Sequence, residues 1–163
     1  MENYTIRKIK KEDNQQVAQL IRAVFEELEI PKVGTAYEDP YLDYMFEEYN
    51  KSRSVYFVVE NNDKIVGCAG IAQLENEEET ICELQKMYFL PETRKKGIGA
   101  EMMELCLQSA KNFGFEKCYL ETMPFMIDAQ KLYSRSGFEP ISAPMGSTGH
   151  VSCPVWMLKD LAL

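Results

Sequence analysis

The stretch Leu84–Gly99, LQKMYFLPETRKKGIG, most narrows what this chain can fold into. A strand expected over Thr80–Leu90 runs into Pro91, which cannot donate to a sheet ladder. A basic turn, Arg94-Lys95-Lys96, follows, and Gly97-Ile98-Gly99 opens a helix expected over Gly97–Phe113. Ile98, Met102, Leu105, Cys106, Ala110 and Phe113 form its apolar stripe, and Gly114 suits its C-terminal cap. Another strand, Lys117–Thr122, comes next. Strand, helix and strand in this order imply a crossover that leaves the two strands parallel.

The flanking segments complete the pattern. Tyr4–Ile9 reads as a first strand. Asp13–Leu28 reads as a helix with Val17, Leu20, Ile21, Val24, Phe25 and Leu28 on one face, ended by Pro31 and Gly34. A second helix is expected over Asp39–Tyr49. Ser54–Glu60 and Lys64–Leu74 form a hairpin through Asn61-Asn62-Asp63. Phe125–Ser136 is a short helix, and Phe138–Ile141 and Cys153–Leu158 are the last strands, separated by the Pro/Gly/Ser-rich loop Ser142–Ser152. The expected class is α/β in the α+β sense, a mixed and mostly antiparallel sheet of about seven strands flanked by about four helices. With 163 residues, no repeat and no dividing linker, residues 1–163 read as one domain.

The charge balance narrows the function. Eighteen Lys and Arg against 26 Asp and Glu give a net charge of −8, the wrong sign for a general binder of nucleic acid or of anionic membranes. It is compatible with a cationic substrate and equally with plain solubility. The five cysteines, Cys68, Cys82, Cys106, Cys118 and Cys153, are odd in number, lack a Cys-x-x-Cys and sit mostly in apolar segments, as expected of reduced thiols in the cytoplasm. No metal is expected, because His150 is the only histidine. No apolar run reaches the ~18 residues of a membrane span.

The glycine turn is physically an anion site. A helix N-terminus offers free N–H groups and the positive end of the dipole, and glycines let a phosphate approach the backbone. The segment is neither a Walker A loop nor a Gly-x-Gly-x-x-Gly fingerprint. Taken alone, Gly-x-Gly before a helix is equally an ordinary strand-to-helix turn with solvated basic residues.

Its surroundings decide the matter. Arg94-x-x-Gly97-x-Gly99-Ala100 resembles the Arg/Gln-x-x-Gly-x-Gly/Ala signature of the GNAT superfamily, the acyl-CoA N-acyltransferases. Glu83–Pro91 resembles that family's fourth strand, and Ala129-x-x-Leu132-Tyr133-x-x-x-Gly137-Phe138 its second signature. The resemblance runs from the Ile6-Arg7 strand to Trp156-Met157. It implies the GNAT fold, with the parallel strands 4 and 5 splayed to admit the pantetheine arm of acetyl-CoA. Backbone groups of Met87, Tyr88 and Phe89 would then hold the pantetheine and acyl carbonyl. Backbone N–H groups of Arg94, Lys95, Lys96, Gly97, Ile98, Gly99 and Ala100 would hold the pyrophosphate, with the three basic side chains available to the cofactor's phosphates. Tyr133 occupies the family's recurrent tyrosine position and would protonate the leaving thiolate. Where many members carry an asparagine that contacts the cofactor, this chain has Met126, which puts that contact in doubt.

An ammonium acceptor must lose a proton before it attacks. Some members use a glutamate on the fourth strand, which makes Glu83 the leading candidate base, with Gln85 on the same strand face. The alternative is an acid that pairs with a neighbouring strand or attracts the substrate. His150, on the late loop, is a second candidate base. Cys153 is a weaker one for a nucleophile, because only His150 could activate it. In the family the acceptor pocket is formed by the segments that correspond to residues 31–50 and 142–152. The first holds Tyr37, Glu38, Asp39, Tyr41, Asp43 and Tyr44, which suit a cationic amine or simply form a solvated helix face. The implied activity is direct acetyl transfer from acetyl-CoA to a primary amine of a small molecule. The alternatives are acetylation of a protein or peptide amine, or a non-catalytic module that senses acyl-CoA. A homodimer is compatible with this reading.

Overall fold

The computed structural model describes residues 3–162. The strands are β1 (Tyr4–Lys8), β2 (Val55–Asn61), β3 (Lys64–Gln73), β4 (Ile81–Phe89), β5 (Lys117–Thr122), β6 (Glu139–Ile141) and β7 (Val155–Asp160). The helices are α1 (Asn14–Glu27), α2 (Met45–Tyr49), α3 (Ile98–Asn112) and α4 (Ile127–Arg135). The strands form one sheet in the order β1-β2-β3-β4-β5-β7-β6. Every pairing is antiparallel except that of β4 with β5. This is the expected mixed sheet with its parallel pair formed across the α3 crossover.

Side-chain alternation sorts the core into two layers. Val55, Phe57 and Val59 of β2 face α3, where they join Ile98, Met102, Met103, Cys106 and Ala110. Tyr56 and Val58 face the other way, onto Val17, Leu20, Ile21, Val24 and Phe25 of α1. β3 is buried over Ile65–Ala72 because it carries both layers. Gly70 leaves room for one neighbour in particular, since a Cβ there would collide with the Tyr56 ring.

The expected second helix shrinks to Met45–Tyr49. Pro40 disfavours helical geometry at the residue before it, and Asp39 indeed holds φ −59° and ψ 127°. Ala36–Glu38 forms a short 3-10 turn instead. The hydrophobic spacing after Asp39 belongs to an irregular segment that folds back over α1.

Two departures from regularity in β4 position the site. The β4–β5 ladder runs only from Ile81–Lys117 to Glu83–Tyr119, so the strands separate beyond it. On the other side, Cys68 of β3 pairs with Tyr88 but Gly70 pairs with Gln85, so β4 carries one extra residue in a bulge. Lys86 sits there with φ 49°.

Candidate active site

The bulge changes the sidedness of β4. Cys82 and Leu84 before it, and Met87 and Phe89 after it, face the α3 layer. Tyr88 faces the α1 layer. Glu83, Gln85 and Lys86 all line one small cavity of about 60 Å³, together with Glu121, Met126, Tyr133, His150 and Cys153.

A larger groove of about 650 Å³ lies between α3 and α4 where β4 and β5 part. Its walls include Met87, Tyr88, Phe89, Arg94, Lys95, Gly97, Gly99, Ala100, Leu132 and Tyr133. The structure therefore brings most of the sequence-selected binding segment to one groove. Gly97 is the N-cap of α3 at φ 80°, a left-handed conformation that favours glycine, and a Cβ there would meet nothing within 4 Å. The α3 N-terminus thus opens into free space.

Two basic side chains have protein partners. The Arg94 guanidinium pairs with both Glu27 oxygens at 3.0 and 2.7 Å and donates to the Phe89 carbonyl at 3.2 and 2.9 Å. It fastens the end of β4 to α1. Lys96 reaches away toward β1, with Nζ 3.1 Å from the Tyr4 hydroxyl. Ile98 is buried in the α3 layer, so its side chain is structural.

Tyr133 lines both cavities. Its ring packs edge-on against Phe138, and burial pushes its phenol up to about 12. Its hydroxyl has no hydrogen-bond partner among the described residues.

Glu83 is almost fully buried, and burial pushes its carboxyl up to about 7 despite a hydrogen bond from Gln85 Nε2 at 2.6 Å. Gln85 Oε1 in turn accepts from the Tyr49 hydroxyl at 2.5 Å. On β5, Glu121 accepts from Tyr119 at 2.7 Å and from Thr148 at 2.5 Å. The late loop is thereby tied to the cavity rim.

His150 and Glu83 line the same cavity, but the His150 Nε2 is engaged by Asp39, 3.1 Å from each carboxylate oxygen. The same carboxylate holds the Lys86 ammonium at 2.6 Å, and the Tyr41 hydroxyl accepts from that ammonium at 2.9 Å. Burial works to raise the Asp39 carboxyl, and its contacts with His150 and Lys86 override this and hold it below the usual aspartate value. Cys153 lies in the cavity wall with its thiol pushed up to about 11, chiefly by burial and further by Glu121, Glu83 and Asp39, which leaves it a poor nucleophile. Met126 borders both cavities, so an apolar side chain stands where the resemblance leads one to expect an amide.

Lys86, Tyr49 and Glu121 are absent from the residues that sequence reasoning selects. A lysine beside Glu83 and Gln85 in a largely buried strand is the one available signal, and its direction depends on the bulge.

Comparison with known proteins agrees with this geometry. The acetyltransferase (GNAT) family profile matches residues 17–138. An Escherichia coli (strain K12) protein, uncharacterized N-acetyltransferase YjgM, is 41% identical over 157 residues, covering 96% of this chain and 94% of that protein. A GNAT-family acetyltransferase from Staphylococcus aureus Mu50 superposes with a TM-score of 0.86 at 21% identity, covering 98% of this chain and 99% of that one. The PaiA N-acetyltransferase of Thermoplasma acidophilum, solved in complex with coenzyme A, superposes with a TM-score of 0.68 at 16% identity, over 97% and 99% of the two chains. The chain belongs to the acetyltransferase (GNAT) family and is an acyltransferase.

Proposed function

We propose that the protein moves an acetyl group from acetyl-CoA directly to a primary amine of a small molecule. The observation that carries this reading is Tyr133, which lines both the long groove and the small cavity and whose hydroxyl has no hydrogen-bond partner among the described residues. The groove supports the donor half. Beyond Glu83 the β5 side of β4 has no ladder partner, so the main chain of residues 87–89 can pair with an extended amide-bearing arm. The open α3 N-terminus suits a pyrophosphate. These features fit CoA, which when acetylated supplies an activated acyl carbon and a thiolate leaving group.

The cavity supports the acceptor half. Glu83, at about 7, is partly ionised at neutral pH and can take a proton from an ammonium group, directly or through water. Tyr133, at about 12, keeps its proton until a stronger base forms beside it, so it can serve as the acid. His150 is committed to Asp39 and acts here as a structural tie. The small volume of the cavity, about 60 Å³, favours a small-molecule amine over a peptide. The reading takes residues 1–163 as one catalytic unit working in the cytoplasm, consistent with cysteines that are all free.

The test is thiol release from acetyl-CoA across a panel of small amines and lysine peptides. Turnover of a small amine that collapses in Tyr133→Phe supports the proposal. Binding of acetyl-CoA with no turnover across the panel would favour a sensing module, and turnover confined to peptides would move the acceptor to a protein.

A further inference from the structure

We propose that Tyr49 and Gln85 are positioning residues for Glu83, a relay that fixes which carboxylate oxygen takes the proton and favours the ionised carboxylate. The proposal rests on the reading of Glu83 as the base.

The relay begins with a buried phenol. Tyr49 is 5% exposed, lies at the end of α2, and its hydroxyl has Gln85 Oε1 as its hydrogen-bond partner. Burial raises the phenol well above its ordinary value, so it remains a donor at any working pH. A donor facing Gln85 selects the amide orientation that presents the carbonyl to Tyr49. The Gln85 NH2 group must then point to Glu83, and it does so at 2.6 Å from Oε1.

An amide N–H can only donate, so Oε1 must offer a lone pair. The proton therefore loads on Oε2, the oxygen left without a protein partner among the described residues. The opposite orientation would turn the amide oxygen toward Glu83, where it could accept only from a protonated acid. It would also leave the Tyr49 proton without its acceptor. The orientation of one amide is thus linked to the charge on the carboxyl beside it.

The other charged and titratable groups around Glu83 do not perform this task. Glu121 on β5 disfavours the carboxylate by like charge, and His150 and Lys86 favour it from a distance. Tyr119, Cys118 and Cys153 also lie within its field. Of all these groups only Gln85 donates a hydrogen bond to Glu83.

The test uses pH–rate profiles of kcat/KM with one good acceptor, together with direct NMR titration of the Glu83 carboxyl in the free enzyme. Gln85→Leu should move the rising limb and the carboxyl titration to higher pH by about one unit or more, the effect of losing a hydrogen bond to a charged group. Tyr49→Phe should move both in the same direction, because the amide is no longer held in one orientation. A Glu83→Gln variant that flattens the limb, beside Gln85→Leu and Tyr49→Phe profiles that match wild type, would overturn the relay and leave the base intact. If Glu83→Gln leaves the limb in place, the base reading falls, and the carboxyl titration still decides whether the relay holds Glu83 ionised.

Discussion

Lys86 Nζ lies 2.6 Å from Asp39 Oδ2, and the lysine side chain is only 2% exposed. One aspartate thereby joins the β4 bulge to the segment after α1 and, through His150, to the loop before β7. Removing one partner strands a buried charge. Asp39→Asn is expected to cost about 3–5 kcal/mol of stability, read from urea unfolding, and Asp39→Asn combined with Lys86→Met should recover part of it. Additive losses in the double variant would show that the two side chains act independently.

The same pair sets a pH window. The Asp39 carboxyl is held below its ordinary value, so its contribution is complete above the unfolded aspartate value of about 4 and is lost as pH falls through the folded value. For Lys86, burial alone would lower the ammonium value, but Tyr41 and Asp39 raise it overall. Its contribution is complete below the unfolded lysine value of about 10.4 and is lost as pH rises through the folded value. The stability difference between wild type and the double variant should therefore shrink at both acid and alkaline extremes. A difference that stays constant from acid to alkaline pH would rule this out.

Arg94 should act on the strand rather than on phosphate, because its guanidinium is committed to Glu27 and the Phe89 carbonyl. Arg94→Gln is expected to lower kcat/KM for acetyl-CoA and for acetylpantetheine, which lacks the nucleotide, by similar factors. A loss confined to acetyl-CoA would return the side chain to phosphate binding.

The two glycines of the turn should fail for different reasons. At Gly97 a Cβ would stand in open space, but φ 80° costs an L-residue roughly 1–2 kcal/mol and changes the direction of the α3 N-terminus. At Gly99 a Cβ would press on Leu132 Cδ2 at 3.2 Å, and the larger valine would crowd that wall of the groove. Calorimetry should show CoA affinity falling more than about tenfold for valine at either site. Gly97→Ala should lose part of that affinity through backbone strain alone.

Tyr133→Phe is expected to lower kcat by roughly 10²–10⁴-fold with little change in the KM for acetyl-CoA. Thermal stability should hardly move, because the hydroxyl has no protein partner among the described residues to lose. A large drop in Tm with kcat preserved would make Tyr133 a packing residue.

Much of this architecture was legible because it repeats a pattern. The α1 stripe from Val17 to Phe25 has helical spacing and is buried as expected; in α3, Ile98, Met102, Cys106 and Ala110 are buried as expected, but Leu105 is exposed and Met103 packs into the core instead. The turn from Pro91 to Gly99 was legible because proline and glycine act locally. On the acceptor side the segments were legible from the family resemblance, but the pairings within them were not, because they are contacts between distant segments. Asp39 meets His150 across 111 residues, and nothing local to either signals the pairing. Pro40 argues locally against a helix starting at Asp39, whereas the apolar spacing from Tyr41 to Tyr49 argues for one, and the proline prevails. Lys86 was missed for a stricter reason: simple alternation puts it on the Leu84 face, and only a bulge seats it beside Gln85.

That extra residue makes β4 a matter of parity. A strand that straightened with every residue kept would invert everything after Gln85, whereas one that lost Lys86 would keep every later residue on its present face. Met87, Tyr88 and Phe89 would hold their layers in the shortened strand, and the cavity would lose the ammonium that pairs with Asp39. Relatives that keep this site should therefore keep the length of the segment between Glu83 and Pro91 more strictly than its composition, and an insertion or deletion there should coincide with a rebuilt acceptor cavity.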